Sequence, residues 1–295
     1  MSLAIILDKS TFQSLGHHEL IQLHRYYIIN VTPLLVSEIL GDLSKEEVEG
    51  KRLPKDVVIG LANKIFPSNT YVNTNYKKLL EISLISKQND FDNRPFLKAA
   101  KSINTGAKQG LVFEETEEER SIRRWKDGQF NSVDEIISWF WRSQSKDENV
   151  VEIFKSKMSQ FSNIKLEKKL GDNQENLKKL KEILLNELHK SENQKQYLAL
   201  IIDYFNLDYS LAAQIFYRWE SENHTSIAEF SPYAFFCLSI AAMYYIGINN
   251  NLFSERKTNL LDLEYLYYTP CCRVFSTNDK FLISLFELIN PKEVY

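Results

Sequence analysis

The chain has 295 residues, enough for one large domain or two ordinary ones. It is 44% hydrophobic and 25% charged, and its net charge of −3 lends nucleic-acid binding no support from bulk charge. Only 9 glycines and 7 prolines stand against 18 phenylalanines and 15 tyrosines, which favours a helix-rich, well-packed protein. The three cysteines, Cys237, Cys271 and Cys272, exclude a disulfide framework, so we expect buried thiols and a reducing, cytoplasmic setting.

The sequence gives no reason to expect a membrane segment. The first seven residues lack the basic region of a signal peptide. The longest apolar stretch, Tyr233 to Ile248, holds three tyrosines and is shorter than the roughly 18 residues that suggest a span. We therefore expect a buried helix there and no membrane partner.

Two strands and a helix are predicted at the start of the chain. Ala4 to Leu7 is a continuously apolar run, typical of a strand covered on both faces, and it ends in Asp8-Lys9-Ser10. Phe12 to His24 is predicted as one helix, and Tyr26 to Val31 as the second strand. Asp8 therefore stands at the end of a strand, where open α/β sheets bind ligands.

The second strand runs into Thr32-Pro33, a helix start signal, because Thr can cap free N–H groups and Pro is tolerated at the first helical position. Glu38 lies in this helix among apolar residues. A carboxylate in such a setting needs a partner, either a cationic side chain or a metal ion.

Residues 41 to 254 are predicted to be almost wholly helical. Asn104 to Gly110 is predicted as a loop and Ser162 to Asn173 as a linker. Ser132 to Glu135 has the form of a capping box ahead of a helix to Arg142. The four tryptophans are expected in the core rather than as base-stacking platforms. The further helices are predicted at 54–64, 76–86, 114–124, 174–189, 197–205, 211–219 and 233–248.

Alternation of helix and strand returns near the end of the chain. Thr258-Asn259-Leu260 opens a helix that carries Asp262 and Glu264. Cys272 to Ser276 is predicted as a strand that exits through Thr277-Asn278-Asp279. A last helix follows from Phe281 to Leu288.

These features together resemble the PIN-like nuclease family. The likeness lies in Asp8-Lys9-Ser10 after the first strand, Glu38 in the second helix, and Asp262 placed 17 residues before Asp279, the last residue of the Thr277-Asn278-Asp279 exit. It covers about residues 1–43 and 255–295. The interval between Glu38 and Asp262 is far longer than in a small PIN domain.

The resemblance implies a three-layer α/β/α sandwich with a short, mainly parallel sheet, interrupted by a large all-helical insertion. Residues 1–43 and 255–295 would form the nuclease core, and residues 44–254 would be the mostly helical insertion, part of which completes the core. The insertion would shape substrate access or bind a protein partner.

The resemblance also implies metal-dependent hydrolysis of nucleic-acid phosphodiester bonds, with RNA expected before DNA and an endoribonuclease as the expected enzyme. Asp8, Glu38, Asp262 and Asp279 would be the catalytic and metal-binding acids, because Mg²⁺ or Mn²⁺ prefers carboxylate oxygens and can activate water. Ser10, Thr277 and Asn278 would orient ligands or a phosphate, and Glu264 is the rival to Asp262.

Two other readings remain open. A PIN-like module without catalysis would keep the fold as a binding or scaffold protein. Arg218 and His224 have the loose spacing of helical HEPN-type ribonucleases, a spacing that chance produces often. Each acid also has an ordinary alternative role, since Asp after a strand commonly caps a helix and Glu38 can pair with a nearby cation.

Overall fold

The computed structural model describes residues 3–65, 70–86, 93–97, 101–104, 109–112, 115–144, 149–167 and 171–289. The chain divides into two compact units. Unit 1 comprises Met1–Asn75, Phe91–Lys146 and Tyr268–Asn278, and unit 2 comprises Tyr76–Asp90, Asp147–Tyr267 and Asp279–Tyr295. Unit 1 is mixed α/β, and the described part of unit 2 is helical.

Unit 1 is built on a four-stranded parallel sheet. Its strands lie in the order β3-β2-β1-β6, and every neighbouring pair is parallel. A separate antiparallel pair, β4 with β5, flanks part of the predicted 104–110 loop, whose residues 105–108 lie outside the described residues. The strands are β1 (Leu3–Leu7), β2 (Tyr27–Val31), β3 (Thr70–Val72), β4 (Lys101–Asn104), β5 (Gln109–Val112) and β6 (Val274–Ser276).

The strands predicted at both ends of the chain are confirmed, with one shortened. Ala4 to Leu7 are buried, as expected of a strand covered on both faces. β6 begins at Val274 instead of Cys272, because Thr269–Cys271 form a 3₁₀ turn and the Cys272 amide donates to the Thr269 carbonyl. Cys271 and Cys272 are buried thiols, as predicted.

The described helices of unit 1 are α1 (Lys9–Ser14), α2 (His17–Tyr26), α3 (Pro33–Gly41), α4 (Pro54–Lys64), α6 (Glu117–Lys126) and α7 (Ser132–Gln144). Two of them, α1 and α3, begin just after strands β1 and β2. The start of α3 is as predicted, since Thr32 Oγ1 accepts from the Leu35 amide at 3.1 Å and Pro33 takes the first position.

The single helix predicted from Phe12 to His24 is wrong. The chain leaves the helix at Leu15 and enters a new one after Gly16, whose backbone is extended. The Gly16 amide donates to the Glu19 carboxylate at 2.6 Å, a capping contact that fixes the new start. The Lys64 ammonium donates to the Leu15 carbonyl at 2.8 Å, at the point where the first helix ends.

The capping box of α7 is also displaced by one residue from its predicted position. The Asp134 amide donates to Asn131 Oδ1 at 2.8 Å, and the Asn131 amide donates to Asp134 Oδ2 at 2.9 Å. Ser132 and Glu135 are therefore not the capping pair. Asp134, and not Glu135, is the acid of the capping box. Its carboxylate is buried and also pairs with the Arg124 guanidinium at 3.1 Å.

Unit 2 surrounds one buried helix. Its helices are α5 (Tyr76–Ile85), α8 (Val150–Lys157), α9 (Asn173–Leu188), α10 (Gln194–Tyr204), α11 (Tyr209–Ser221), α12 (Ile227–Phe230), α13 (Pro232–Asn249), α14 (Lys257–Tyr267) and α15 (Lys280–Leu288). In the described residues, α13 is the one helix long and apolar enough to cross a membrane, and 89% of its 18 residues are buried inside the protein. This burial is what a core helix shows, as predicted.

Two further expectations for the middle of the chain need correction. The stretch from 41 to 254 is not almost wholly helical, because it contains β3, β4 and β5. β3 completes the parallel sheet from within residues 44–254. The boundaries of the predicted core and insertion stay a prediction, and both the predicted linker and the core's last residues extend partly outside the described residues.

Two of the four tryptophans are buried, Trp141 is half-buried and one is exposed. Trp125 is 1% exposed and Trp219 is also buried, as expected, whereas Trp139 is 66% exposed. α7 turns the side that carries Asp134 and Ser138 inward, and Ser138 Oγ bonds to Ser44. Trp139 therefore falls on the exposed side, and its predicted place in the core is wrong.

Candidate functional site

Asp8 lies immediately beyond β1 and is held there by three donors. It is only 5% exposed. Oδ1 accepts from the Thr11 amide at 2.7 Å, which makes Asp8 the cap of α1. Ser10 Oγ lies 3.0 Å and 3.1 Å from the two carboxylate oxygens, and Thr277 Oγ1 donates to Oδ2 at 2.6 Å. The carboxylate is thereby fixed in one orientation by charge-assisted hydrogen bonds.

The order of the strands explains why Asp8 meets Thr277. β1 and β6 are parallel neighbours, so their carboxyl ends lie at the same edge of the sheet. The Asp8 amide also donates to the Ser276 carbonyl at 3.1 Å, which extends the pairing one residue past β1. In the sheet, β2 and then β3 lie on one side of β1, and β6 lies on the other side. The direction of strand succession therefore reverses at β1. Such a switch point is where open α/β sheets form ligand crevices.

The remaining residues of the predicted C-terminal exit divide between the two units. Asn278 is exposed at the end of unit 1, and Asp279 begins the last segment of unit 2. Asp279 caps α15, since its Oδ1 accepts from the Phe281 amide at 2.7 Å and from the Leu282 amide at 3.3 Å. This geometry agrees with the ordinary capping role of a Thr-x-Asp sequence.

Glu38 is half-buried in α3, and the cation beside it is Lys9. Lys9 Nζ donates to the Glu38 carbonyl at 2.7 Å and to Asp42 Oδ1 at 2.7 Å. Burial lowers the pKa of Lys9, and the carboxylates of Asp42 and Glu38 oppose that shift. The apolar setting of Glu38 did predict a partner, and a cationic side chain is present.

Lys9 and Asp42 were not identified as functional candidates from the sequence. Asp42 is buried at the end of α3, four residues after Glu38. A carboxylate at a helix C-terminus is destabilised by the negative end of the helix dipole. The position of Asp42 therefore predicts a positively charged side chain beside it. Two lysines supply that positive charge, Lys9 at 2.7 Å and Lys45 at 2.6 Å from Asp42 Oδ1.

The two rival acids of α14 both lie in unit 2 and are half-buried. The Tyr76 hydroxyl donates to Glu264 Oε1 at 3.4 Å. Burial raises the pKa of Tyr204, and the charge of Glu264 adds to that increase. Burial likewise raises the pKa of Tyr244, to which the charge of Asp262 adds. Each acid thus faces tyrosines, and the preference for Asp262 stays a prediction.

Arg218 and His224 have structural partners in unit 2. Arg218 is buried, and its guanidinium donates to the carbonyls of Ser83, Leu84 and Phe230 at 2.9–3.3 Å. His224 Nε2 lies 2.8 Å from Glu222 Oε2. Because its hydrogen bonds are directed at backbone carbonyls, Arg218 ties α11 to the end of α5, a role that accounts for it without a nuclease function.

The structure therefore assembles part of the predicted site. Asp8, Ser10 and Thr277 meet in unit 1, and Glu38 joins Lys9 and Asp42 there. Within the ranges that the structure describes, no group of three or more His, Cys, Asp or Glu side chains could hold a metal ion. No family model, curated protein or solved structure matches the chain.

Proposed function

We propose that this protein is a PIN-like nuclease that hydrolyses phosphodiester bonds of nucleic acid, with RNA as the expected substrate and the cytoplasm as its setting. The observation that supports the proposal is the hydrogen bond between Thr277 and Asp8 at the switch point of a parallel sheet. An oriented carboxylate at that edge has the position in which open α/β sheets bind and act on ligands.

The side chains at this edge have distinct proposed roles. Asp8 would accept a proton from, or orient, the attacking water. Ser10 and Thr277 would keep its oxygens aimed, because both hydroxyls lie within hydrogen-bond distance of the carboxylate. Asn278, exposed beside them in sequence, would donate to a substrate phosphate. Asp262 and Asp279 belong to unit 2, and their catalytic role is proposed from the family resemblance alone.

Mg²⁺ or Mn²⁺ is the cofactor that the resemblance implies. When bound, such an ion lowers the pKa of a water molecule and offsets charge on the phosphate. Carboxylate oxygens are the donors that these hard cations prefer. The described residues nevertheless provide no ligand group of three, so the roles above are assigned to the chain's own side chains.

A catalytically inactive binding or scaffold module is the second candidate. The observation that favours it is that three of the four predicted acids already have ordinary partners. Asp8 and Asp279 cap helices, and Glu38 lies beside Lys9. Such a module would keep nucleic acid or a protein partner bound without cleaving anything.

Cleavage of labelled nucleic acid by the full chain separates the two candidates. Single-stranded RNA, structured RNA and single-stranded DNA would each be incubated with purified protein in MnCl₂, in MgCl₂ and in EDTA. We expect cleavage of RNA in a divalent ion and little in EDTA. Binding of the same RNA without cleavage in any condition would favour the scaffold module.

A further inference from the structure

Lys9 lies at the end of α3, against the carboxylate of Asp42 and the backbone carbonyl of Glu38. Its ammonium is 2.7 Å from Asp42 Oδ1 and 2.7 Å from the Glu38 carbonyl. The charge of the Glu38 carboxylate also acts on it. Lys9 thus has three negative or partly negative neighbours within one turn of helix.

The two acids need a cation for a physical reason. Glu38 and Asp42 are four residues apart, a spacing at which like charges on a helix repel. Both also lie near the negative C-terminal end of α3. The side chain of Asp42 is only 2% exposed, so water screens little of its charge.

Lys9 is better placed than its neighbour Lys45 to supply that charge. Both lysines contact Asp42 Oδ1, at 2.7 Å and 2.6 Å. The side chain of Lys9 is 19% exposed, whereas that of Lys45 is 51% exposed. Because water reaches about half of the Lys45 side chain, it weakens the pairing of Lys45 with Asp42, and we expect the less exposed Lys9 to contribute more.

We propose that Lys9 is the resident cation of the Glu38–Asp42 pair, and that Glu38 belongs to this internal ion-pair network instead of to a set of metal ligands. This inference rests on the proposed nuclease function, because only a nuclease site would need a set of metal ligands. Asp8 stays the central acid of that site. At Glu38, the positive charge that the family resemblance would assign to a divalent ion is instead supplied by Lys9.

Thermal unfolding of the full chain in EDTA and in MnCl₂ tests the proposal without measuring cleavage. The variants are Glu38→Gln, Lys9→Met and Lys9→Arg, with Lys45→Met as the matched control on the same carboxylate oxygen. The metal response of each protein is its melting temperature in MnCl₂ minus that in EDTA. A failure of RNA cleavage leaves these readouts untouched.

The expected results follow from the network. Lys9→Met melts about 5 °C lower in EDTA because the buried Asp42 loses the less exposed of its two cationic partners, and Lys45→Met melts within about 2 °C of wild type. Lys9→Arg keeps the charge and recovers part of the loss. Lys9→Met also gains a metal response of a few degrees, roughly what mass action gives for weak Mn²⁺ binding to the unbalanced acids. Glu38→Gln keeps the metal response of wild type.

Three results would overturn the proposal. The first is a metal response in wild type that Glu38→Gln abolishes, since Glu38 would then be a ligand. The second is a Lys9→Met variant that melts like wild type in EDTA. The third is a Lys9→Met variant with no added metal response. If Lys9→Met does not fold, the Glu38→Gln comparison decides alone.

Discussion

Thr277 Oγ1 donates a hydrogen bond of 2.6 Å to Asp8 Oδ2, and 269 residues of chain separate the two. The contact exists because β1 and β6 are parallel neighbours whose carboxyl ends coincide. It joins β1 and β6, the first and last strands of this sheet in chain order, at the edge to which the proposed function is assigned.

Replacing Thr277 by Val tests this contact. Removing a hydrogen bond to a charged group, and leaving part of a buried carboxylate without its donor, is expected to lower the free energy of unfolding by about 1.5–3 kcal/mol. Thr277→Ser keeps a hydroxyl and is the matched control. Urea unfolding curves measure both, and equal midpoints for Thr277→Val and wild type would show that the contact contributes nothing.

Lys64 is predicted to hold the short helix that follows Asp8. Its ammonium donates to the carbonyls of Phe12, Gln13 and Leu15 at 2.8–3.3 Å, where α1 ends. Lys64→Met should lower the free energy of unfolding by about 1–2 kcal/mol, because carbonyls at a helix end lose a cationic partner. Lys55→Met, on the exposed side of the same helix, should stay within about 0.5 kcal/mol. Equal losses in the two variants would contradict the role.

The tryptophans give a second comparison by burial. Trp125→Ala should lower the free energy of unfolding by about 3–5 kcal/mol, because a wholly buried ring leaves a cavity. Trp139→Ala should change it by less than about 1 kcal/mol, since that ring is mostly exposed. Acrylamide quenching should fall when Trp139 is removed and stay when Trp125 is removed. A larger loss of stability for Trp139→Ala than for Trp125→Ala would mean that α7 buries the side that carries Trp139.

The cysteines are predicted to be unreactive in the folded protein. Burial raises the pKa of Cys271 to about 12 and also raises that of Cys272. At pH 8 the reactive thiolate is therefore scarce, whereas an unfolded thiol with its ordinary pKa of about 9 is partly ionised. A thiol reagent at pH 8 should label no cysteine quickly in native protein and three in urea. Rapid native labelling would contradict the buried setting.

Linkage gives the direction in which these thiols change stability with pH. A group whose pKa is higher in the folded protein contributes stability below its ordinary pKa and loses it as pH rises toward the folded value. For Cys271 that window runs from about 9 to about 12. Cys271→Ser should flatten the decrease in urea midpoint over the accessible part of this range, and an unchanged slope would contradict the assignment.

Local signals in the sequence were enough to predict the elements that position the candidate site. The apolar run before Asp8, the Thr32-Pro33 start and the strand before Thr277 all recur in the structure. Each depends on neighbours within a few residues, so a single sequence carries the information. The parallel arrangement of the sheet was predicted from the family resemblance.

Features that depend on distant partners were missed or misjudged. The helix break at Gly16 depends partly on Lys64, and the inward side of α7 depends on the contact of Ser138 with Ser44. The buried carboxylate of Asp42 is paired with Lys9, which is 33 residues away in the sequence. Short strands such as β3 are too brief for periodicity to reveal.

The most direct test of the proposed function is single-turnover cleavage of a labelled RNA in MnCl₂ by wild type and by Asp8→Asn. Asn caps helices as well as Asp does, so α1 should keep its start while the carboxylate is lost. Glu47→Gln, an exposed acid of unit 1, is the control. We predict that Asp8→Asn slows cleavage at least about 100-fold while staying folded, with a melting temperature lowered by about 2–6 °C because charge-assisted hydrogen bonds are lost, and that Glu47→Gln is as fast as wild type. Cleavage by Asp8→Asn at the wild-type rate would contradict the proposed function.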